Sequence, residues 1–72
     1  MLDAYKMLKD DPGLDYDQII YEQKGTREGH TVWIHIGMAS PLHPKPRRQA
    51  LIYGPLTNGH YPPFDEKLVS FT

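Results

Sequence analysis

The sequence predicts a small α+β fold: one short N-terminal helix packed on a small antiparallel sheet of about three strands, with an extended, proline-rich C-terminal arm. Three observations predict it. Residues 2–9 carry apolar side chains near the i, i+3 spacing of a helix face. Three later stretches, 17–23, 31–37 and 48–53, are short and rich in β-branched and aromatic types. Prolines and glycines separate them, seven prolines in 72 residues.

Taking the elements in order, Leu2, Ala4, Tyr5 and Leu8 line the helix face, and Asp10-Asp11-Pro12-Gly13 stops it because proline cannot continue the hydrogen-bond ladder. A helix this short needs tertiary packing, since isolated helices under about 12–15 residues are marginal. Strand one spans Asp17 to Gln23, with Gln18, Ile20 and Glu22 on one face and Ile19 and Tyr21 on the other. Lys24-Gly25-Thr26-Arg27-Glu28-Gly29 reads as a hairpin loop into strand two, which makes these two strands antiparallel neighbours. In strand two, Thr31, Trp33, His35 and Gly37 share a face and Val32, Ile34 and Ile36 the other. The all-aliphatic face reads as core. The mixed face, an imidazole beside an indole with a glycine leaving room, reads as the floor of a site.

The segment Met38 to Pro46 holds three prolines and is expected to run over the surface. Strand three follows at Arg48 to Tyr53, ended by Gly54-Pro55. The tail from Leu56 contains Asn58-Gly59 and Pro62-Pro63 and ends in a weakly alternating Leu68-Val69-Ser70-Phe71, read as an irregular arm whose last strand pairs elsewhere. The domain reading is 1–54 as the folded unit and 55–72 as the arm.

Composition sets limits on function. A net charge of −1 argues against a general nucleic-acid binder, which needs a basic footprint. No apolar run approaches a membrane span and no signal-peptide pattern opens the chain, so a soluble protein is expected. The absence of cysteine excludes disulfides and thiolate zinc sites. A hydrophobic content of 39% in so short a chain points to partner surfaces that complete the core.

Candidate metal ligands are His30, His35, His43, His60, Glu22 and the aspartates. No His-Glu-x-x-His spacing occurs, and on a straight strand His30 and His35 would sit about 16–17 Å apart on opposite faces, too far to share an ion. A half-buried histidine packed beside Trp33 is the plainer reading of His35. Glu22 could act as a general base beside a metal-bound water, or be a solvated strand-end carboxylate. Arg47-Arg48 could bind an anion, although adjacent loop arginines are usually solvated. Tyr61, Phe64 and Phe71 could stack on ligands or anchor the arm to a partner. No glycine-flanked nucleophilic serine is present.

The order Leu2-Asp3-Ala4-Tyr5-Lys6-Met7-Leu8, Leu14-Asp15-Tyr16-Asp17-Gln18-Ile19-Ile20-Tyr21-Glu22, His30-Thr31-Val32-Trp33-Ile34-His35-Ile36 and Arg47-Arg48-Gln49-Ala50-Leu51 resembles the C-terminal half of zinc D-alanyl-D-alanine metallopeptidases, with phage-encoded peptidoglycan peptidases the nearest look-alikes. The resemblance covers about residues 2 to 52. It implies that His35 is the last of three zinc ligands, that Glu22 lies beside the cleft in a catalytic role, and that Gln18, His30 and Trp33 line the substrate side, with His30 at the rim. The implied chemistry is hydrolysis of a stem-peptide bond, with zinc polarising the carbonyl. The family's other two ligands sit in an upstream Ser-x-His-x-x-Gly-x-Ala-x-Asp motif that this sequence lacks, and the chain as given starts past that motif's place. One ligand does not hold a catalytic zinc. The expectation is therefore a peptidase-like half-domain, inactive alone, working with other chains of an assembly such as a phage particle. Alternatives are an active split peptidase completed by a partner chain, or a purely structural or cell-wall-binding protein.

Overall fold

The computed structural model describes residues 1–42 and 44–72; His43, one of the candidate ligands named above, lies outside the described residues. The elements are helix α1 (Leu2–Lys9), strands β1 (Tyr16–Gly25), β2 (His30–Met38) and β3 (Gln49–Tyr53), and a single 3-10 turn at Glu66–Leu68. The α+β class holds: one short helix on a three-stranded sheet.

The sheet order is β2-β1-β3, antiparallel between β1 and β2 and parallel between β1 and β3. The sheet is thus mixed, where an antiparallel one was expected. The reason lies in the segment 39–48. β2 ends beside Tyr16, and the chain then crosses the start of β1 to its far side, so that β3 runs with β1 although it opposes β2. Four hydrogen bonds pin that crossing. Arg47 Nε and Nη2 donate to Asp17 Oδ1 and Oδ2 (2.9 and 2.7 Å), Arg47 N donates to Oδ1 (3.1 Å), and Arg48 N donates to Tyr16 O (3.2 Å). Arg48, at φ 53°, also donates Nη1 to Leu14 O (2.6 Å) and lies 4.5 Å over the Tyr16 ring. Both arginines are exposed, yet their side chains are tied into the fold.

One sheet face is covered. Ile19, Tyr21, Ile52 and Ala50 from the sheet meet Tyr5, Leu2 and Leu8 from α1 and Phe64, Leu68 and Val69 from the C-terminal stretch. Tyr5 is fully buried, its hydroxyl directed at Leu51 O (2.9 Å) and Ile19 O (3.2 Å), which anchors the short helix to two strands. Its ring meets Tyr21 edge-on at 5.4 Å and Phe64 at 4.9 Å.

The stretch 55–72 is extended in path but lies against this same core. It turns at Thr57, whose Oγ1 donates to Gly54 O and accepts from Gly54 N, then at Asn58 and Gly59, both with positive φ. It next runs along the outer edge of β3, with Ile52 N donating to Pro62 O (3.0 Å) and Phe64 N to Ala50 O (2.9 Å). Gln23, 1% exposed, closes it: Nε2 donates to Tyr53 O and Leu68 O (both 3.3 Å), and Oε1 accepts from Ser70 N (2.7 Å) and Phe71 N (2.9 Å). Tyr21 OH donates to Phe71 O at 2.6 Å.

Candidate functional site on the open sheet face

Strand alternation puts every second residue on the face opposite α1, which the C-terminal stretch meets at its β3 side through Tyr61. The register then sorts these side chains into rows running β2, β1, β3: Gly37, Gln18, Gln49; then His35, Ile20, Leu51; then Trp33, Glu22, Tyr53; with Thr31 and Lys24 beyond. His35, Trp33, Glu22 and Gln18 do share one face, as the sequence alternation predicts. Ile20 is the buried floor between them, 8% exposed.

Trp33 is 38% exposed and sits directly across from Glu22, with Tyr53 on the other flank. Two strand spacings separate the aromatic positions, about 10 Å. Tyr61 stacks on Tyr53, ring centroids 4.8 Å apart, and extends the aromatic row at the β3 side. His35 lies one row along and one strand over from Glu22, a diagonal neighbour. Gln18 Nε2 donates to Gln49 Oε1 at 3.2 Å.

Polar side chains packed against the core are hydrogen-bonded. The Tyr5, Tyr16 and Tyr21 hydroxyls, the Gln23 amide and Arg47 are all engaged within the chain. Burial pushes the Tyr5 and Tyr21 hydroxyls to higher pKa, so both stay protonated. By contrast Glu22, His35 and the Trp33 indole N–H make no hydrogen bond or ion pair among the described residues, and no buried side-chain polar atom there is left unpaired. Their bonding capacity is turned to solvent.

His30 is not brought to this face. It points to the opposite side, stacked on Phe71 with centroids 4.1 Å apart and planes at 6°, while its Nδ1 lies 3.1 Å from Thr26 O. Strand parity alone separates it from His35, which overrides the rim position that the resemblance implies. Sequence reading missed Tyr53, Leu51 and Gln49 as members of the face. The signal was available in the alternation of strand three, but using it requires knowing that β3 lies beside β1.

For a metal, His35 and Glu22 are the two candidate ligands that the strands place on this face. No group of three or more His, Asp or Glu side chains able to hold an ion occurs among the described residues. Catalytic zinc takes three protein ligands, so this pair fits part of such a site and does not complete one. A shallow cleft of about 220 Å³ lies at the far end of the sheet, lined by Gln23, Lys24, Gly25, Tyr53, Gly54 and Pro55. It is away from His35. No helix among the described residues is long and apolar enough to cross a membrane. Compared with protein-family models, curated proteins and solved structures, the chain matches none.

Proposed function

We propose that this chain is the histidine-bearing half of a peptidoglycan zinc-peptidase-like unit, acting as a component of a larger assembly such as a phage particle and inactive as an isolated chain. The observation that supports the reading is the diagonal placement of His35 and Glu22 on one sheet face, both without hydrogen-bond or ion-pair partners among the described residues. In this reading His35 offers one imidazole lone pair to zinc, and Glu22 stands one diagonal step away, where a carboxylate can hold a proton from an attacking water. Zinc, when bound, would supply the Lewis acid that polarises the scissile carbonyl. The remaining ligands come from another polypeptide laid over the face. Trp33 and Gln18 then border the substrate.

The test is to mix the chain with a polypeptide carrying a Ser-x-His-x-x-Gly-x-Ala-x-Asp motif and measure muropeptide cleavage. Cleavage is expected in the mixture only, and lost on His35→Ala. Cleavage by the chain alone, or a mixture indifferent to His35→Ala, overturns the reading.

A second reading, cell-wall binding without cleavage, is favoured by the Trp33, Glu22, Tyr53 row. Two aromatic positions about 10 Å apart flanking a carboxylate suit stacking on sugar rings with hydrogen bonds to their hydroxyls. Retention of the chain on purified peptidoglycan, reduced at least tenfold by Trp33→Ala, would support it. Retention unchanged by that substitution would discard it.

A further inference from the structure

The chain treats the two edges of its sheet differently. The outer edge of β3 is occupied: it pairs with residues 62–64, and Pro62 and Pro63 have no N–H to offer a further strand. Among the described residues, no strand pairs with the outer edge of β2. Its ladder is with β1 alone, and no backbone group of residues 31–38 bonds elsewhere among the described residues. Alternate N–H and C=O groups along this nine-residue strand therefore point outward unpaired.

Edge strands are ordinarily guarded by lysine, proline, inward-pointing charge or a bulge. The strand His30–Met38 contains no Lys, Arg, Asp, Glu or Pro. Its apolar face is also incompletely covered, since Ile36 is 39% exposed and Val32 and Ile34 are half-buried. Open backbone valence and uncovered apolar side chains thus coincide on one strand.

The sequence of the strand itself says what fits there. Two copies paired antiparallel over their full length set Ile34 opposite its own copy, Val32 opposite Ile36, Trp33 opposite His35 and Thr31 opposite Gly37. Aliphatic meets aliphatic on the covered side and indole meets imidazole on the open side. No charge opposes a like charge. A slip of one residue would set each aliphatic side chain against the polar-aromatic set and turn one sheet over.

We infer that the β2 edge is a self-association site, at which two copies pair antiparallel through His30–Met38 and join two three-stranded sheets into one of six. The two-fold axis stands perpendicular to the sheet, so both open faces lie on the same side. His35 of the partner subunit then lies diagonal to His35, about 8 Å away between Cα atoms. The dimer therefore brings a second strand imidazole to a face where the strands of one chain place His35 alone. An edge-to-edge contact of this kind is at the small end of interface size, and a weak, concentration-dependent dimer is expected.

Sedimentation of the full chain between about 10 μM and 1 mM, the range for a weak dimer, should show the mass rise from 8.3 kDa towards twice that value. Ile36→Lys, at an exposed position on the seam, should hold the chain at 8.3 kDa with an unchanged circular dichroism spectrum. The register is read by disulfide trapping, for which the cysteine-free chain is suited. Ile34→Cys should cross-link to its own copy, because directly opposed Cα atoms lie about 4.5–5.5 Å apart. Val32→Cys should cross-link only when mixed with Ile36→Cys, since in this register its own copies are offset by about 13 Å along the strand. That mixed pair keeps the test intact if Ile34→Cys fails to fold. A chain that stays monomeric throughout, including one that takes up a strand from a different protein, overturns the inference. So does a dimer that survives Ile36→Lys, or self-cross-linking of Val32→Cys matching that of Ile34→Cys.

Discussion

Gln23→Ala is the substitution that most sharply tests how this fold is closed. The side chain is 1% exposed and its amide makes four hydrogen bonds, two donated to Tyr53 O and Leu68 O and two accepted from Ser70 N and Phe71 N. All four partners are backbone groups, and three belong to the last five residues. A typical hydrogen bond contributes about 1 kcal/mol net, which gives about 4 kcal/mol if every partner stayed buried. Residues 68–71 are only half-buried or exposed and can rehydrate by lifting off, so the expected loss is about 2–4 kcal/mol. A domain of this size holds only about 3–5 kcal/mol, so the variant should be largely unfolded or lose its C-terminal stretch. Gly54→Ala attacks the same clamp from outside, because a Cβ there would lie 2.5 Å from Gln23 Nε2 and force the amide aside. Urea denaturation measures the free energy, and hydrogen exchange on residues 68–71 separates local release from global unfolding. A loss under about 0.5 kcal/mol with unchanged protection would refute the clamp, being the scatter of neutral surface changes.

Phe64→Ala should cost about 2–4 kcal/mol, near the low end for a buried aromatic because the ring is partly covered, and thermal unfolding would show it. Lys6→Ala breaks the exposed ion pair with Glu66 and should shift stability by less than about 0.5 kcal/mol in the same assay. Tyr5 and Tyr21 have hydroxyl pKa values raised by burial, so the unfolded chain loses these protons first as pH rises. Their contribution is intact below the unfolded tyrosine pKa of about 10 and declines above it, and a urea midpoint that falls as pH rises above about 10 would show this. Tyr5→Phe should flatten part of that decline while costing about 1 kcal/mol at neutral pH for the lost bond to Leu51 O.

Much of the fold is legible in the sequence because it rests on short-range rules. The spacing of Leu2, Tyr5 and Leu8 and the Asp11-Pro12 stop define α1 as Leu2–Lys9. Alternation groups Ile19 with Tyr21 and Trp33 with His35, and the register shows that the first pair lies on the covered face and the second on the open one. What sequence reading misses depends on contacts far apart in the chain. The parallel placement of β3 follows from Arg47 and Arg48 reaching back to Asp17, Tyr16 and Leu14, and adjacent loop arginines carry no local mark of such ties. Phe64 reads as an anchor to something else because nothing nearby in sequence says that Tyr5 and Tyr21 leave a place for its ring. His30 is displaced from the site by strand parity, which the same alternation rule supplies once the strand is known to begin at His30.

Under the proposed function, the Trp33-Ile34-His35 strand becomes a functional face only in company. Isothermal titration of zinc into the chain, with and without the Ser-x-His-x-x-Gly-x-Ala-x-Asp polypeptide, tests it most directly. One tight zinc per complex is expected in the mixture, abolished by His35→Ala, with no tight site at dilutions where the chain is monomeric. Tight zinc binding by the monomer alone, or binding in the mixture that His35→Ala leaves unchanged, would contradict it.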